Sequence, residues 1–482
     1  MAMTGILEKI SVDQADTQST TSPKKHVYSP AEKRLKLKID RLFLPMLFCI
    51  VFIQFMDKSI LNFAAAMNIM EDTHITSDDF AWLGSIFYIG FLVFQIPNNF
   101  LIQWLPIGKY LGGVTIAWGV TFACTALCKD FTGLIITRLL LGMAESVTYP
   151  CIFILISTFY RRQEQVVCVA AMFLANAVAI MVGGLIGFGI AHLQGLHGLS
   201  AWQYCYIIFG SITFTVGIVF FFTLPDTPKS KWFFLTAEEE LLVDDRLKDN
   251  GQAVNTTFNK AHVREALAEP RYYAVIAIVF LGSLQNGAFT TFSTQIIQAL
   301  GFTNFQSILM NIPMGVCSAI LICIMTYLSK HFNQICYIAM LSITISFTSM
   351  LLLIVLPNTP VKLVGILLSY SGTPTYLLTQ TLIINNVKGY SKKVFYTSSQ
   401  LVSYSLGNFV GPLMMLGGQK PRYFGAMAGY TIANVIQFLL FAFVRWSLTR
   451  SLFKRKDVVL HGSDREISDL TDKEDLTFAY RP

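Results

Sequence analysis

Charge in this chain is concentrated in three stretches, residues 1–41, 225–271 and 445–482, and the long intervals between them are nearly free of it. That placement constrains the fold more than any motif does. An uncharged apolar run of about 20 residues is long enough to cross a bilayer as a helix. Inside a bilayer only helices and closed barrels satisfy their own backbone polar groups. Only 13% of the 482 residues are charged and 54% are hydrophobic, whereas a soluble globular chain carries roughly 25% charged residues. The chain therefore reads as an all-α membrane protein.

The apolar runs predict spans at 42–66, 80–104, 110–127, 131–158, 166–192 and 202–224, then at 272–298, 306–328, 334–356, 361–386, 394–416 and 423–446. The expected organisation is a disordered N-terminal tail (1–41), a six-helix bundle (42–224), a polar linker (225–271), a second six-helix bundle (272–446) and a C-terminal tail (447–482), with STTSPKK and DREISDLTDKED (464–475) read as disordered ends, either regulatory or simply solvated. Six spans, a long polar link and six more resembles the major facilitator fold, twelve transmembrane helices in two six-helix bundles with substrate held between the halves. The loop sequences PIGKYLGG and YLSKHFNQ, six spans apart, suggest an internal duplication.

Lys109, Arg161, Arg162, Lys330, Lys388, Lys392 and Lys393 fall in loops on one side, together with Arg445, Arg450, Lys454, Arg455 and Lys456. The first loop on the other side is acidic (Glu71, Asp72, Asp78, Asp79). The positive-inside rule then places both termini in the cytosol. The polar start of the chain lacks the apolar core of a cleaved signal peptide. A net charge of +7 gives no reason to expect a nucleic-acid partner. The nine cysteines form no CxxC pair and no metal-ligand spacing, so no metal and no cofactor are expected. There is no GxxxxGK[ST] phosphate loop and no nucleophile constellation, which argues against an ATP-driven pump and against an enzyme.

Ionisable residues inside spans are costly and mark a pathway or a buried pair. Here they are Asp57 and Lys58 in the first span and Arg138 and Glu145 in the fourth. Asp57 lies roughly 22 Å from the inner end of its span and Arg138 roughly 10 Å from the outer end of its own. In a core about 30 Å thick those depths coincide, and the two are expected to form a buried pair, either structural or part of the pathway. Gln54, Lys58 and Asn62 repeat at i, i+4, i+8 and form a polar stripe suited to an anion-binding wall. Lys58 and Arg138 can supply positive charge to an anion, and Asp57 or Glu145 can carry a proton. Gln285, Asn286, Asn311, Gln380, Gln400 and Asn408 are candidates to complete the cavity from the second half, with interhelical bonding as their alternative role. Pro97, Pro150, Pro313, Pro374 and Pro412 are expected to bend or break their helices.

At these residues the chain resembles a more specific group. The segments IDRLFLPMLFCIVFIQFMDKSILNFAAA, WLGSIFYIGFLVFQIPNNFLIQWLPIGKYLG, RLLLGMAESVTYPCIFILISTFYRRQEQ, LPDTPKSKWFFLTAEEE and SLGNFVGPLMM resemble the fungal allantoate permease family, anion:cation symporters within the major facilitators. The resemblance covers about residues 40–446. It implies proton-coupled uptake of a small organic anion across the plasma membrane, driven by the proton gradient. Family substrates include allantoate, nicotinate, pantothenate, biotin, cysteine and sulfonates. The family's first-span acidic-basic pair falls on Asp57 and Lys58, and its fourth-span Arg and Glu fall on Arg138 and Glu145. Two positions depart from the pattern, Cys168 and Trp104, where the family usually carries arginine. The implied partners are a small organic anion, a proton and the lipid bilayer, with the chain acting as a monomer. A non-transporting nutrient sensor and a proton-antiport exporter are the competing readings of the same fold.

Overall fold

The computed structural model describes residues 29–236, 238–243, 259–356, 360–455, 470–475, 478 and 480–481. Twelve helical segments cross the fold. The first half holds α1 (Pro30–Ala66), α2 (Ser77–Trp104), α3 (Ile107–Cys124), α4 (Phe131–Glu145 continued by Thr148–Phe159), α5 (Arg162–Ala191) and α6 (Ala201–Thr223). The second holds α7 (Pro270–Gln298), α8 (Asn304–Leu309 continued by Asn311–Phe332), α9 (Ile335–Val355), α10 (Leu363–Ser369 continued by Gly372–Asn386), α11 (Tyr390–Leu413) and α12 (Phe424–Lys454). Ten of them are long and apolar enough to cross a membrane. The other two are α10, which is broken, and α11, whose sequence is rich in Ser, Tyr, Gln and Asn.

Local sequence explains where these helices start and break. Ser29 caps α1 by accepting from the Glu32 amide at 3.1 Å, with Pro30 in the first helical position. Thr76 and Asp79 form a reciprocal capping box at the start of α2. The breaks in α4, α8 and α10 lie at residues 146–147, 310 and 370–371, three to four residues before Pro150, Pro313 and Pro374. A proline removes one i→i−4 bond and its ring presses on the carbonyl four residues back. Pro45 and Pro97 stay within continuous helices.

Packing reveals the repeat. In the first half α1 packs on α5, α2 on α4 and α3 on α6; in the second, α7 packs on α11, α8 on α10 and α9 on α12. Each pair recurs six helices later. The halves meet through α2 against α11, α5 against α8 and α1 against α7, the arrangement a two-fold axis between the repeats generates. The closest crossing, α2 with α4, depends on glycine. A Cβ on Gly142 would collide with the Phe87 carbonyl oxygen, and one on Gly90 with that of Leu139.

The ends of the chain depart from the expected tails. Helix α1 begins at Pro30, well inside the segment predicted to be disordered, because residues 30–41 pack on their surroundings. Arg161 pairs with Glu32 at 3.0 Å, Lys38 with Glu239 at 2.7 Å, and Tyr160 donates to Asp40 at 2.9 Å. At the other end, residues 470–475, 478 and 480–481 are docked on the second half rather than left as a solvated tail. The STTSPKK segment and residues 464–469 lie outside the described residues.

The contacts that join the halves, among the described residues, gather at the face away from the chain ends. Asn62 donates to Ser293 at 2.8 Å and accepts from the Thr294 amide at 2.9 Å. Phe80 packs edge-on against Phe292, Trp82 against Phe409, and Phe188 against Phe305. Asp78 accepts from the Gly417 amide at 2.7 Å. The structure is closed at this far face.

Candidate functional site

Helical geometry sorts the four intramembrane charges into two groups. Successive helical residues point about 100° apart, so the neighbours Asp57 and Lys58 on α1 face different surroundings. Asp57 points into the first half, where its electrostatic neighbours are Glu145, Arg138, Lys58 and the Trp118 indole of α3. It is 1% exposed, and neither carboxylate oxygen accepts a hydrogen bond. Arg138 donates to the Tyr206 hydroxyl of α6 and lies 5.6 Å from that ring. The expected direct Asp57–Arg138 ion pair is thus replaced by a looser arrangement, because Tyr206 takes the guanidinium. Both residues remain buried within electrostatic reach of each other.

Lys58 turns toward the space between the halves. Its ammonium lies 3.6 Å from a carboxylate oxygen of Glu145 and 5.4 Å from the centre of the Phe87 ring. Gln54, one turn earlier on the stripe, lies 3.4 Å from the Glu145 backbone carbonyl, to which its amide donates. Glu145 is the last residue of the first α4 segment, so the helix break lies directly beside the ion pair. That break is held by Asn98 of α2, which donates to Ser146 and accepts from Tyr110 of α3.

The opposite wall comes from the second half. Asn286 on α7 is exposed although it sits in mid-helix, and it donates to Asn408 at 2.8 Å and to the Tyr404 hydroxyl at 3.5 Å. Tyr404 and Tyr376 have ring centres 5.2 Å apart, and Gln380 donates to the Tyr376 hydroxyl at 3.2 Å. Tyr404 interacts electrostatically with Lys58 and Tyr149, and Tyr88 with Tyr404, Tyr149 and Glu145. Lys58, Glu145, four tyrosines (Tyr88, Tyr149, Tyr376, Tyr404), Gln380 and Asn286 therefore cluster where the two halves face each other, and the mid-span exposure of Asn286 and part-exposure of Lys58 mark the space between them, the chamber.

The remaining predicted residues sit elsewhere. Gln285 is used inside the second half: it donates to the Ser369 carbonyl at 3.1 Å and accepts from Ser346 at 3.0 Å and Asn434 at 3.2 Å. Asn62 bridges the halves at the far face. Asn311 bonds back to carbonyls of its own helix. Gln400 is buried on α11 with neither amide atom hydrogen-bonded.

The tyrosines were not singled out in the sequence, yet a signal for them exists. Tyr149 follows Glu145 by four residues, Tyr376 precedes Gln380 by four, and Tyr404 lies between Gln400 and Asn408 at the same interval. Each continues a polar stripe along its helix.

Such a chamber offers one cation, one carboxylate and a ring of hydroxyl and amide donors, all facing a space between two repeat-related bundles. That is a binding arrangement for a small polar solute, without an activated nucleophile.

Comparison with known proteins agrees with this geometry. The chain is similar over most of its length to fungal transporters of Saccharomyces cerevisiae. A thiamine pathway transporter is 29% identical over 464 residues, covering 94% of this chain and 87% of its own. An allantoate permease is 27% identical over 490 residues, covering 97% and 90%. Among solved structures, an inward-facing, occupied bacterial homolog of the human lysosomal transporter Spinster superposes with a TM-score of 0.64 at 13% identity, covering 85% of this chain and 97% of that one. A D-xylose–proton symporter superposes at 0.61 and 12% identity, covering 84% and 97%. These two show the shared fold. The model of the Major Facilitator Superfamily matches residues 47–412, and the chain, a multi-pass membrane protein of the transporter class rather than an enzyme, belongs to that superfamily.

Proposed function

We propose that this protein is a proton-coupled importer of a small organic anion, working by alternating access in the plasma membrane with both termini in the cytosol. The observation that carries the reading is the Lys58–Glu145 pair in the chamber between the halves. A substrate carboxylate or sulfonate entering the chamber competes with Glu145 for the Lys58 ammonium. If it wins, Glu145 is left as an unpaired buried charge, which costs several kcal/mol. Taking up a proton removes that cost. Anion and proton then occupy the chamber together, and neither is held well without the other.

The tyrosines and Asn286 supply neutral donors for the rest of the solute, which suits a polar or planar anion better than a lipid-like one. Asp57 and Arg138, behind the chamber, form a second charged site that responds when the charge on Glu145 changes. The likeness to the allantoate permease supports a nutrient anion of the carboxylate or ureide kind as substrate.

The test is uptake by cells expressing the protein, using labelled ureides, vitamin carboxylates, cysteine and sulfonates at two external pH values, with and without a protonophore. The expected result is accumulation that is faster in acid and collapses with the protonophore. Surface-expressed protein that takes up none of the panel would overturn the reading.

A further inference from the structure

The described part of the C-terminal tail is anchored as no solvated tail would be. Lys392, at the start of α11, is fully buried and pairs with three carboxylates: Glu265 at 2.8 Å, Glu269 at 2.7 Å and Asp472 at 2.6 Å. Glu265 belongs to the linker helix Lys260–Leu267, Glu269 precedes α7, and Asp472 comes from the tail. The tail also reaches α10, where Asn386 exchanges hydrogen bonds with the Arg481 backbone at 2.9 and 2.7 Å. On α12, Arg455 donates to the Asp472 carbonyl at 2.6 Å. Tyr480 is buried, donates to Asp472 at 2.8 Å and lies between the guanidinium groups of Arg271 and Arg455. One short segment thus ties together the linker helix and the ends of α7, α10, α11 and α12.

Thr471 is the point where this strap meets the linker helix, with its hydroxyl bonded directly to a carboxylate. Its hydroxyl is fully buried and donates to Glu265 at 2.9 Å, and it also accepts from the Glu474 amide at 3.2 Å. The carboxylates around it, Glu265, Glu269, Asp472 and Glu474, face Lys392, Lys473 and the buried His262, which lies 3.8 Å from Glu474, and all three are already engaged with them. A phosphate carries a charge of about −1.5 to −2 and needs cations to settle. In the docked strap it would lie against Glu265. Outside the docked state, acidic residues follow Thr471 at the first, third and fourth positions (Asp472, Glu474, Asp475), the pattern read by a kinase with a basic substrate groove.

We propose that Thr471 is a phosphorylation site for an acid-directed protein kinase, and that its modification releases the strap from the second half. The placement of the tail in the cytosol, where kinase and ATP are present, rests on the orientation proposed above. In the transfer, Thr471 Oγ1 forms a bond to the γ-phosphorus of ATP as the bond to the ADP oxygen breaks, and the hydroxyl proton passes to the kinase's base. Because the docked hydroxyl is buried, the kinase acts on the undocked strap, and the phosphate then keeps it undocked. Release frees the ends of α7, α10 and α11, the helices that carry Asn286, Tyr376 and Tyr404 into the chamber.

The experiment uses purified full-length protein in detergent and requires no transport substrate, so its outcome is independent of the importer reading. Trypsin cleavage after Lys473, followed by mass spectrometry, reports undocking. Thr471→Val removes the hydroxyl without adding charge, whereas Thr471→Glu adds charge against Glu265. Cleavage of Thr471→Glu should be at least tenfold faster than that of Thr471→Val, and adding Glu265→Gln should slow it again. Equal or slower cleavage of Thr471→Glu would overturn the release mechanism. An acid-directed kinase with ATP should label Thr471, and should do so at least tenfold faster in Lys392→Gln, or in Asp472→Asn where Lys392→Gln fails gel filtration. Absence of Thr471 labelling in the undocked variants would overturn the modification site.

Discussion

At the scale of single residues, the chamber assigns different work to two carboxylates that look alike in the sequence. Glu145→Gln keeps a hydrogen-bonding side chain beside Lys58 but cannot gain or lose a proton. The expected phenotype is exchange of substrate across the membrane with pH-driven accumulation lost, measured as counterflow against net uptake. Lys58→Gln should abolish both, since the ammonium 3.6 Å from Glu145 is gone. Tyr404→Phe deletes one hydroxyl, and a hydrogen bond of about 0.5–1.5 kcal/mol corresponds to a KM raised roughly twofold to tenfold at unchanged surface expression. Much of this wall was legible in the sequence. The stripe Gln54–Lys58–Asn62 follows from helical period, and Glu145 stands out as a charge in an apolar span. The partners were not legible: depth alone suggested Asp57 with Arg138, whereas the azimuth around α1 and the position of Tyr206 decided otherwise. Azimuth between non-adjacent helices depends on packing, and a single sequence does not encode it locally. Tyrosines carry the same ambiguity, since one in an apolar run packs in a core as readily as it lines a cavity.

At the scale of elements, the breaks matter more than the spans. Twelve helical runs could be read from hydropathy, and of the five prolines singled out, Pro150, Pro313 and Pro374 mark the breaks, while Pro97 and Pro412 lie within continuous helices. What hydropathy could not give was that the broken helices α4 and α10 occupy equivalent places in the two repeats and bring Glu145 and Tyr376 to the chamber. Nor could it show the order of residues 30–41, 470–475, 478 and 480–481, whose fixing depends on distant partners such as Arg161 and Lys392. If the α10 break serves the motion between states, Pro374→Ala should straighten the helix. Pro374 lies in the first turn of the segment Gly372–Asn386, where a proline costs little stability, so the variant should unfold at about the same temperature while turnover falls and KM holds. A thermal unfolding curve and initial uptake rates on the same preparation check both. The strap gives a separate pH expectation. Burial would raise the Glu269 carboxyl, but the ammonium of Lys392, with Arg271 and Lys473, outweighs it and holds the group below its ordinary value. Tyr396 also donates to Glu269, at 2.9 Å. A depressed carboxyl contributes stability that is present above the unfolded value, about 4.3, and lost as pH falls through the folded one. Tryptic release of the tail from His262→Gln protein, which removes the imidazole 3.8 Å from Glu474, should therefore rise as pH falls below the ordinary glutamate range, read after brief exposure to each pH and return to neutrality.

At the scale of the whole molecule, two repeats related by a two-fold axis can rock about a central chamber only if the contacts closing one face are weak enough to exchange for those closing the other. Among the described residues, the far face shows what such a closure is made of: the two bonds of Asn62 to Ser293 and Thr294, the Asp78–Gly417 bond, and four ring contacts, the fourth between His192 and Phe305. No ion pair spans the halves there among the described residues, so the seal consists of neutral or singly charged hydrogen bonds and aromatic edges. Asn62 contributes the buried part of it and belongs to the same stripe as Lys58, one turn further along α1. In the proposed cycle, a movement of Lys58 when substrate replaces Glu145 would pass along α1 to the seal. Asn62→Ala deletes both bonds and leaves the Ser293 hydroxyl and Thr294 amide without their buried partner. At about 1 kcal/mol per hydrogen bond, the population open at the far face should rise by roughly fivefold to thirtyfold. A single cysteine placed at Ile308, fully buried where α8 meets α5, and probed with a membrane-impermeant thiol reagent from that side measures it. Faster labelling in Asn62→Ala, restored toward the parent rate by Asn62→Gln, is the expected outcome. Labelling that does not change would mean that the ring contacts alone keep the far face shut, and that α1 does not couple the chamber to the seal.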